Sequence, residues 1–286
     1  MTWNTRGAGD ASFRRLLSDL MVRNNVNIFA LLEPRQDGEK AGLIARRLGW
    51  PNKFLVEARG FSGGIWLFWD MNTDFVVLSS SDQFVHGKVR NGNGDEWLLT
   101  FVYGHPNTIL RRQLWQSLHN IYNASNMKWA VAGDFNVVAH SEDRWGRGRQ
   151  GNSRIDRLFR AWITNCGLID IGFSGPRFTW GYERSQSRID RVFVNDLWHI
   201  AFPNAAVVHL SKYKSDHCPV LLKTDNFSTD CPNNRPFRFF APWVLHDEFH
   251  NFVKENWLPQ HDWGASVFEF TKKLLTWNKE VFGNIT

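Results

Sequence analysis

The sequence lacks the features that mark membrane-embedded and disulfide-stabilised proteins. No run approaches the roughly eighteen consecutive apolar residues that a membrane helix requires. The opening residues, MTWNTRGAGD, lack the charged and then apolar order of a secretory signal. The three cysteines, Cys166, Cys218 and Cys231, are too few and too scattered for a disulfide framework. These absences favour an intracellular globular protein without a membrane segment.

The chain is long enough to form one large domain with an appendage. It has 286 residues, of which 43% are hydrophobic, so a sizeable core can form. Its 34 lysines and arginines exceed its 28 acidic residues and leave a net charge of +6. Such a balance favours a polyanionic partner only where the positive charges cluster.

Positive charge clusters in the segment DRWGRGRQGNSRIDRLFR at 143–160. Six arginines stand there against two aspartates. The glycines would let this loop approach a phosphate backbone closely, and such contacts position DNA without reading its sequence. The predicted DNA-binding residues are Arg144, Arg147, Arg149 and Arg154. A solvated helix face without a ligand is the alternative interpretation.

Short β-rich stretches, separated by Gly, Asn and Asp turn signals, dominate the first three quarters of the chain. They lie at 64–70, 74–79, 83–89, 96–103, 128–133, 178–182, 188–195, 205–211 and 217–223. Several are apolar on both faces, which favours strands buried inside a sandwich of two packed sheets. Helical spacing between them, at 13–21, 110–121 and 155–166, predicts helices and an α/β fold.

A change of composition predicts a domain boundary. The stretch TDNFSTDCPNNRP at 224–236 is polar, carries two prolines and has no periodicity. Apolar residues at three- and four-residue spacing then predict an amphipathic helix over 267–281. We therefore expect a domain over 1–223, a linker over 224–240 and a helical tail over 241–286.

Polar residues recur where the predicted strands end. They are Asn4, Glu33, Tyr103, Asp134 with Asn136, and Asp216 with His217. Taken singly, each is a common turn residue or solvated acid. Carboxylates that meet at one sheet edge, however, form an oxygen-rich site suited to a hard cation such as Mg2+. Asp190 lies within an apolar strand, where a carboxylate requires a partner such as a histidine.

The motifs WNTRG, LLEPR, SGGIWLFW, VYGHPN, GDFN, SGPRFTW, SRIDRVFVN and SDHCPV, in this order, resemble the endonuclease/exonuclease/phosphatase superfamily. They are most similar to the apurinic-type endonuclease domain of plant LINE-type, non-LTR retrotransposons. The resemblance covers roughly residues 2 to 223. It implies a DNase-I-like four-layer sandwich, in which two packed mixed β-sheets are flanked by helices. It also implies Mg2+-dependent phosphodiester hydrolysis, with Mn2+ as an alternative cation.

The resemblance also implies a role for each strand-end residue. Glu33 would be the principal metal ligand, with Asn4 and Asp216 at or beside the same site. Asp134 would orient or activate the attacking water. Asn136 and Tyr103 would contact the scissile phosphate, and Thr179 would lie near the substrate cleft. His217, held by Asp190, would donate to the phosphoryl oxygen.

The chain departs from the family pattern at three points. It begins two residues before Trp3, so we expect a shortened first strand. Arg6 stands where abasic-site repair relatives carry a metal-adjacent carboxylate, which argues against full repair activity. No reverse transcriptase follows the predicted connector, so the chain is a fragment, a remnant or a captured domain of such an element.

The sequence therefore predicts a Mg2+-dependent DNA endonuclease that leaves a 3′-hydroxyl and acts in the nucleus. Two alternatives stay open. One is a catalytically inactive DNA-binding remnant, and the other is a phosphatase of the same fold acting on inositol phosphates or lipids. The excess of arginine beside the site disfavours the phosphatase.

Overall fold

The computed structural model describes eight stretches of the chain: 1–58, 63–90, 94–146, 156–182, 184–225, 243–244, 246–257 and 263–282. Arg147, Arg149 and Arg154 lie outside these residues, as does most of the predicted linker. The chain divides into two compact units, Met1–Asn226 and Phe227–Thr286. All strand-end residues predicted for the site belong to the first unit.

Fifteen strands lie in the described part of the first unit. In chain order, β1 to β8 are Thr2–Asn4, Ile28–Leu32, Asn52–Val56, Ile65–Trp69, Asp74–Ser80, Phe84–Arg90, Glu96–Tyr103 and Trp129–Asp134. β9 to β15 are Arg144–Gly146, Ile169–Asp170, Trp180–Tyr182, Ser185–Ser187, Asp190–Val194, Ala206–His209 and Val220–Lys223. Six form a first sheet in the order β14-β15-β1-β2-β4-β3, and six form a second in the order β10-β13-β8-β7-β6-β5.

Both large sheets are mixed. In the first, only β1 and β2 run parallel, and in the second only β7 and β8 do. Alternate residues of a strand face opposite sides of its sheet. Ala30 and Leu32 of β2 accordingly enter the core between the sheets, together with Ala130 and Ala132 of β8. The predicted packing of two sheets is confirmed.

Helices cover the outer face of each sheet. In chain order, α1 to α5 are Ala11–Arg23, Gly38–Arg47, Thr108–Ala124, Arg157–Asn165 and Asp196–Ala201. α1 and α2 pack on the residues of β2 that point away from the other sheet, such as Phe29 and Leu31. α3 and α4 pack in the same way on Trp129 and Val131 of β8. The layers are therefore helix, sheet, sheet and helix, which confirms the predicted four-layer sandwich.

A third, small sheet was predicted only in part, since β11 alone of its three strands lies in a predicted stretch, 178–182. Its order is β11-β12-β9, and it pairs Arg144 of β9 with Ser187 of β12. The sequence indicated a loop at Arg144, because the segment has no alternation of apolar and polar residues. Short polar strands of this kind carry no periodic signal and are defined only by their pairing.

The second unit contains two helices in its described residues, α6 over Phe249–Asn256 and α7 over Trp263–Phe282. Trp243, Phe249, Leu274 and Trp277 form a small apolar cluster between them. None of the helices in the described stretches is both long and apolar enough to span a membrane.

His86 of β6 is a buried histidine away from the strand-end residues. Its Nδ1 lies 2.8 Å from Thr100 Oγ1, which also accepts a 2.8 Å hydrogen bond from Trp129 Nε1. Thr100 already accepts from the indole, so its own hydroxyl proton is free to donate to a neutral imidazole. Burial lowers the pKa of His86 to about 4.

We expect this histidine to weaken the fold at acidic pH. The pKa of His86 is lower in the folded than in the unfolded chain. Its contribution to the free energy of unfolding is therefore fully present above about pH 6.5 and is lost as the pH falls towards about 4. Between about pH 7.5 and pH 5, this group should remove about 2 kcal/mol of unfolding free energy. His86→Gln keeps an acceptor but does not titrate. Urea unfolding at the two pH values should show a smaller loss in the variant, and equal losses would contradict the prediction.

Candidate active site

Strand register brings three of the predicted residues together at one edge of the second sheet. β7 and β8 run parallel, and Tyr103 lies opposite Asp134 at their shared end. β13 runs antiparallel to β8, so Asp190 at its beginning also lies opposite Asp134. All three side chains are buried. The sheet itself therefore fixes their spacing.

The first sheet contributes the other predicted residues at the corresponding edge. Asn4 ends β1, and Glu33 directly follows β2, which runs parallel to β1. Asp216 and His217 precede β15, which is antiparallel to β1. The two sheets meet where Asn4 Nδ2 donates a 2.9 Å hydrogen bond to Asp134 Oδ2. Residues from both sheets thus form one site.

His217 and Asp190 form a buried hydrogen-bonded pair. His217 Nδ1 lies 2.9 Å from Asp190 Oδ2. The other ring nitrogen, Nε2, lies 3.9 Å from both Asp134 Oδ2 and Asp216 Oδ1, and no described residue forms a hydrogen bond with it. Thr179 Oγ1 accepts from the backbone N–H groups of Ile189 and Asp190 and so holds the start of β13. The imidazole is oriented from one side and directed towards the carboxylates on the other.

The electrostatic surroundings shift the pKa of two site residues in a way that suits proton transfer. Burial raises the pKa of Asp134 to about 7, and the nearby Asp190 carboxylate adds to the increase. Burial lowers the pKa of His217, but the Asp190 and Asp134 carboxylates outweigh it and raise the pKa to about 9. At neutral pH, Asp134 can therefore accept a proton while His217 carries one.

Asn136 reaches Asp134 through a turn. β8 ends at Asp134, and Asn136 leaves the extended conformation with a positive φ of 51°. Its backbone N–H donates to Asp134 Oδ1 at 2.8 Å, and its Nδ2 donates to the Gly104 carbonyl at 2.8 Å. Asparagine adopts this backbone region more readily than most residues. Asn136 therefore lies beside Asp134 with its side chain fixed.

Glu33 is buried, although an isolated loop acid would be solvated. Tyr103 Oη donates a 2.9 Å hydrogen bond to Glu33 Oε1. Burial and the Glu33 charge raise the pKa of Tyr103, so the phenol stays protonated as a donor. The opposite carboxylate oxygen, Oε2, lies 3.3 Å from Arg6 Nε and 3.4 Å from Arg35 Nη2. Glu33 Oε1 thus faces a neutral donor, whereas Glu33 Oε2 faces two cations.

Asp216 shows the same division between its two oxygens. Trp180 Nε1 donates a 2.8 Å hydrogen bond to Asp216 Oδ2. Asp216 Oδ1 lies 3.1 Å from Arg6 Nε, a close ion pair without hydrogen-bond geometry, and it has no hydrogen-bond partner among the described residues. Motif analysis did not assign roles in the site to Trp180 and Arg6. The signals in the sequence were Arg6 at a position that is metal-adjacent in repair relatives, and Trp180 beside Thr179 in the SGPRFTW motif.

The donor set fits a hard divalent cation. Glu33 Oε2 and Asp216 Oδ1 converge on one cationic group, and Asn4 Oδ1, which accepts from Arg6 N at 3.1 Å, keeps a second lone pair. Asp134, Asp190 and His217 also bring one ligand atom each to within 4.8 Å of one another. His217 and Asp190 already satisfy each other, so the Glu33–Asp216 pair is the better candidate. The metal role of Asn4, Glu33 and Asp216 stays a prediction.

Only one of the four predicted DNA-binding arginines can be placed. Arg144 is exposed on β9, and its Nε donates to Ser187 Oγ at 3.3 Å. Asp143, which directly precedes β9 in sequence, forms ion pairs with Arg188 and Arg191. These arginines flank Asp190 in sequence, so the segment that carries Arg144 is tied to the strand that carries the histidine partner.

The family assignment rests on a comparison over most of the chain. The sequence profile of the Endonuclease/Exonuclease/phosphatase family matches residues 1–217. The chain belongs to the endonuclease/exonuclease/phosphatase family. This range contains every strand-end residue named above, and the match confirms the resemblance seen in the motifs. No curated protein sequence matches the chain significantly.

Several solved nuclease structures share the fold. The AP endonuclease LMAP from Leishmania major has a TM-score of 0.62 at 16% identity, with 77% of this chain and 85% of that chain covered. The 3′-5′ exonuclease NExo from Neisseria meningitidis has a TM-score of 0.57 at 19% identity, with 78% and 98% covered. The endonuclease domain of TRAS1, a telomere-specific non-LTR retrotransposon, has a TM-score of 0.55 at 17% identity, with 77% and 95% covered. At these identities the likeness shows a common fold.

Proposed function

We propose that this endonuclease/exonuclease/phosphatase-family chain is a Mg2+-dependent DNA endonuclease that nicks one strand and leaves a 3′-hydroxyl. One observation carries the proposal. The buried His217 Nε2, without a hydrogen-bond partner in the described stretches, faces Asp134 and Asp216 from a position fixed by Asp190. A proton donor beside a potential base and a carboxylate-lined cation position is an arrangement suited to phosphodiester hydrolysis.

Each polar side chain then has a chemical task. Asp134, whose pKa of about 7 is near the working pH, accepts a proton from the attacking water. Protonated His217 donates to a phosphoryl oxygen, and Asp190 keeps the imidazole oriented and charged. Asn136 hydrogen-bonds the phosphate through the second proton of its Nδ2, and Tyr103 contacts the phosphate. Asn4, Glu33 and Asp216 would hold Mg2+, or Mn2+ in its place, and a bound divalent cation supplies Lewis-acid stabilisation of the growing negative charge.

DNA is the substrate that the surface charge favours. Arg144 is exposed on β9, and Arg147, Arg149 and Arg154 follow it in sequence, outside the described residues. Non-specific backbone contacts of this kind position DNA over a catalytic site. The motif resemblance to plant non-LTR elements favours a retrotransposon-type nuclease, and a DNA substrate implies a nuclear site of action.

The proposal predicts metal-dependent nicking of supercoiled plasmid. Wild-type protein should produce open circles with Mg2+ and none with excess EDTA. A DNA polymerase should extend the nicks directly, because extension requires a 3′-hydroxyl. His217→Ala should lower the nicking rate by about a hundredfold or more, since the variant lacks the proton donor. Gel quantification of open circles over time measures both effects.

The alternatives give different results in the same assays. Plasmid binding without nicking at any metal concentration would indicate an inactive DNA-binding remnant. Release of inorganic phosphate from a small phosphate ester, with the plasmid intact, would indicate a phosphatase. Nicking that persists in EDTA would contradict the metal dependence.

A further inference from the structure

Arg6 lies between the two carboxylates that are the best candidates for cation binding. Its Nε is 3.3 Å from Glu33 Oε2 and 3.1 Å from Asp216 Oδ1. The backbone N–H of Arg6 donates to Asn4 Oδ1 at 3.1 Å, and its φ is +51°. The residue is therefore anchored to β1 in a sharp turn, with its side chain directed into the acidic pair.

The contacts of the two carboxylates show which oxygens a cation would use. Tyr103 holds Glu33 Oε1, and Trp180 holds Asp216 Oδ2, both through neutral donors. The remaining oxygens, Glu33 Oε2 and Asp216 Oδ1, both face the Arg6 guanidinium, whereas Arg35 Nη2, 3.4 Å from Glu33 Oε2, pairs only with Glu33. The oxygens left for a divalent cation are the same ones that Arg6 neutralises.

Arg6 can leave this position without disturbing the core. Its side chain is 38% exposed, whereas that of Glu33 is only 8% exposed. The guanidinium occupies the position that the two ligand oxygens offer to a cation. A divalent cation must therefore displace the side chain, which can turn towards solvent.

We propose that Arg6 is an internal competitor for the divalent cation at the Glu33–Asp216 pair. The proposal rests on the proposed metal-dependent function, and it concerns the affinity of the site, whatever reaction the site performs. In the absence of metal, the tethered guanidinium balances two carboxylates that would otherwise repel each other. Removing this positive charge makes the same oxygens more attractive to a free cation.

The test measures Mn2+ binding without DNA, by the electron paramagnetic resonance signal of the free ion. Arg6→Gln should bind Mn2+ about tenfold more tightly than the wild type, because a competing charge is lost about 3 Å from two ligand oxygens. Arg90→Gln is the charge-matched control. Arg90 pairs with Asp74 and Glu96 at the opposite end of β6 and β7, and its replacement should leave Mn2+ affinity unchanged, because Lys88 still pairs with Glu96 at 3.0 Å and Asp74 is 51% exposed.

A second measurement shows whether the gain in Mn2+ affinity arises at the Glu33–Asp216 pair. Mn2+ should raise the melting temperature of Arg6→Gln more than that of the wild type, because tighter binding to the folded state stabilises it more. Adding Glu33→Gln to Arg6→Gln should abolish the gain in affinity.

Equal or weaker Mn2+ binding by Arg6→Gln, including undetectable binding by both proteins, would overturn the proposal. An equal gain in Arg90→Gln would also overturn it, since the effect would then be one of overall charge. Failure of the proposed nuclease function has a different signature, because absent or EDTA-resistant nicking is measured on the wild-type protein with DNA.

Discussion

Asp134→Asn should lower the rate of plasmid nicking by about a thousandfold while leaving the fold intact. The substitution keeps the shape of the side chain but removes the group proposed to accept a proton from water. Asn136 N can still donate to the remaining oxygen, so the turn after β8 is retained, although the new amide nitrogen can no longer accept from Asn4 Nδ2. Single-turnover nicking with saturating Mg2+ measures the loss directly.

Stability should change in the opposite direction to activity. Burial and Asp190 raise the pKa of Asp134 to about 7, so the folded state disfavours the ionised carboxylate. The free-energy cost of ionising Asp134 in the folded state is absent below about pH 4 and fully present above about pH 7. Asp134→Asn should therefore raise the unfolding free energy by roughly 1–3 kcal/mol at about pH 8 and change it little near pH 4.

An exposed aspartate provides the matched control. Asp74, at the start of β5, is 51% exposed and pairs with Arg90. Asp74→Asn should change neither nicking nor the pH dependence of unfolding. Full nicking activity in a folded Asp134→Asn protein would refute the role of Asp134 as the base.

The second large effect is expected for Asp190→Asn, in which an amide replaces the carboxylate behind His217. The amide oxygen can still accept from His217 Nδ1, so the ring orientation is preserved. The lost charge should reduce kcat by about a hundredfold, because the protonated imidazole is no longer stabilised. KM should change much less, because Asp190 lies behind the imidazole that would face the phosphate.

The pH profile separates this electrostatic role from a structural one. Asp190 raises the pKa of both His217 and Asp134. Its neutralisation should therefore move the alkaline limb of the kcat profile, set by His217 near pH 9, to lower pH. The acidic limb, set by Asp134, should move in the same direction. Asp19→Asn, on the exposed face of α1, should leave the profile unchanged, and an unshifted profile in Asp190→Asn would contradict the role.

The layered architecture could be predicted because a strand that is apolar on both faces must be buried on both faces. The strand Trp129–Asp134 is apolar on both faces, and the structure places those faces in two different cores. Three helices of the first unit, α1, α3 and α4, could be predicted from three- and four-residue spacing, and Asp10, Asn107 and Asp156 cap their first turns, whereas α2 and α5 were not predicted. Local chemistry was sufficient for the predicted elements.

The site could be predicted as a set of residue types at strand ends, together with the pairing of His217 with Asp190, but its other contacts could not. The bond from Trp180 to Asp216 depends on the small third sheet, whose short strands have no periodic pattern. The position of Arg6 between Glu33 and Asp216 depends on a left-handed turn that its sequence does not favour. The bend at Asn136 likewise depends on the Gly104 carbonyl of a neighbouring loop. Each of these contacts depends on pairing between residues that are distant in sequence, which a local sequence pattern does not reveal.

The direct pairing of Asp190 with Asp134 across β13 and β8 constrains how this protein can change in length. Side chains alternate between the faces of a strand, so inserting or deleting one residue within either strand would turn one carboxylate to the opposite face. Insertions and deletions of single residues can therefore be accommodated in the connecting segments but not inside these two strands. The same alternation places the core side chains and the two carboxylates of the proposed acid–base site. A shift of one residue would therefore disrupt the core packing and the site at the same time.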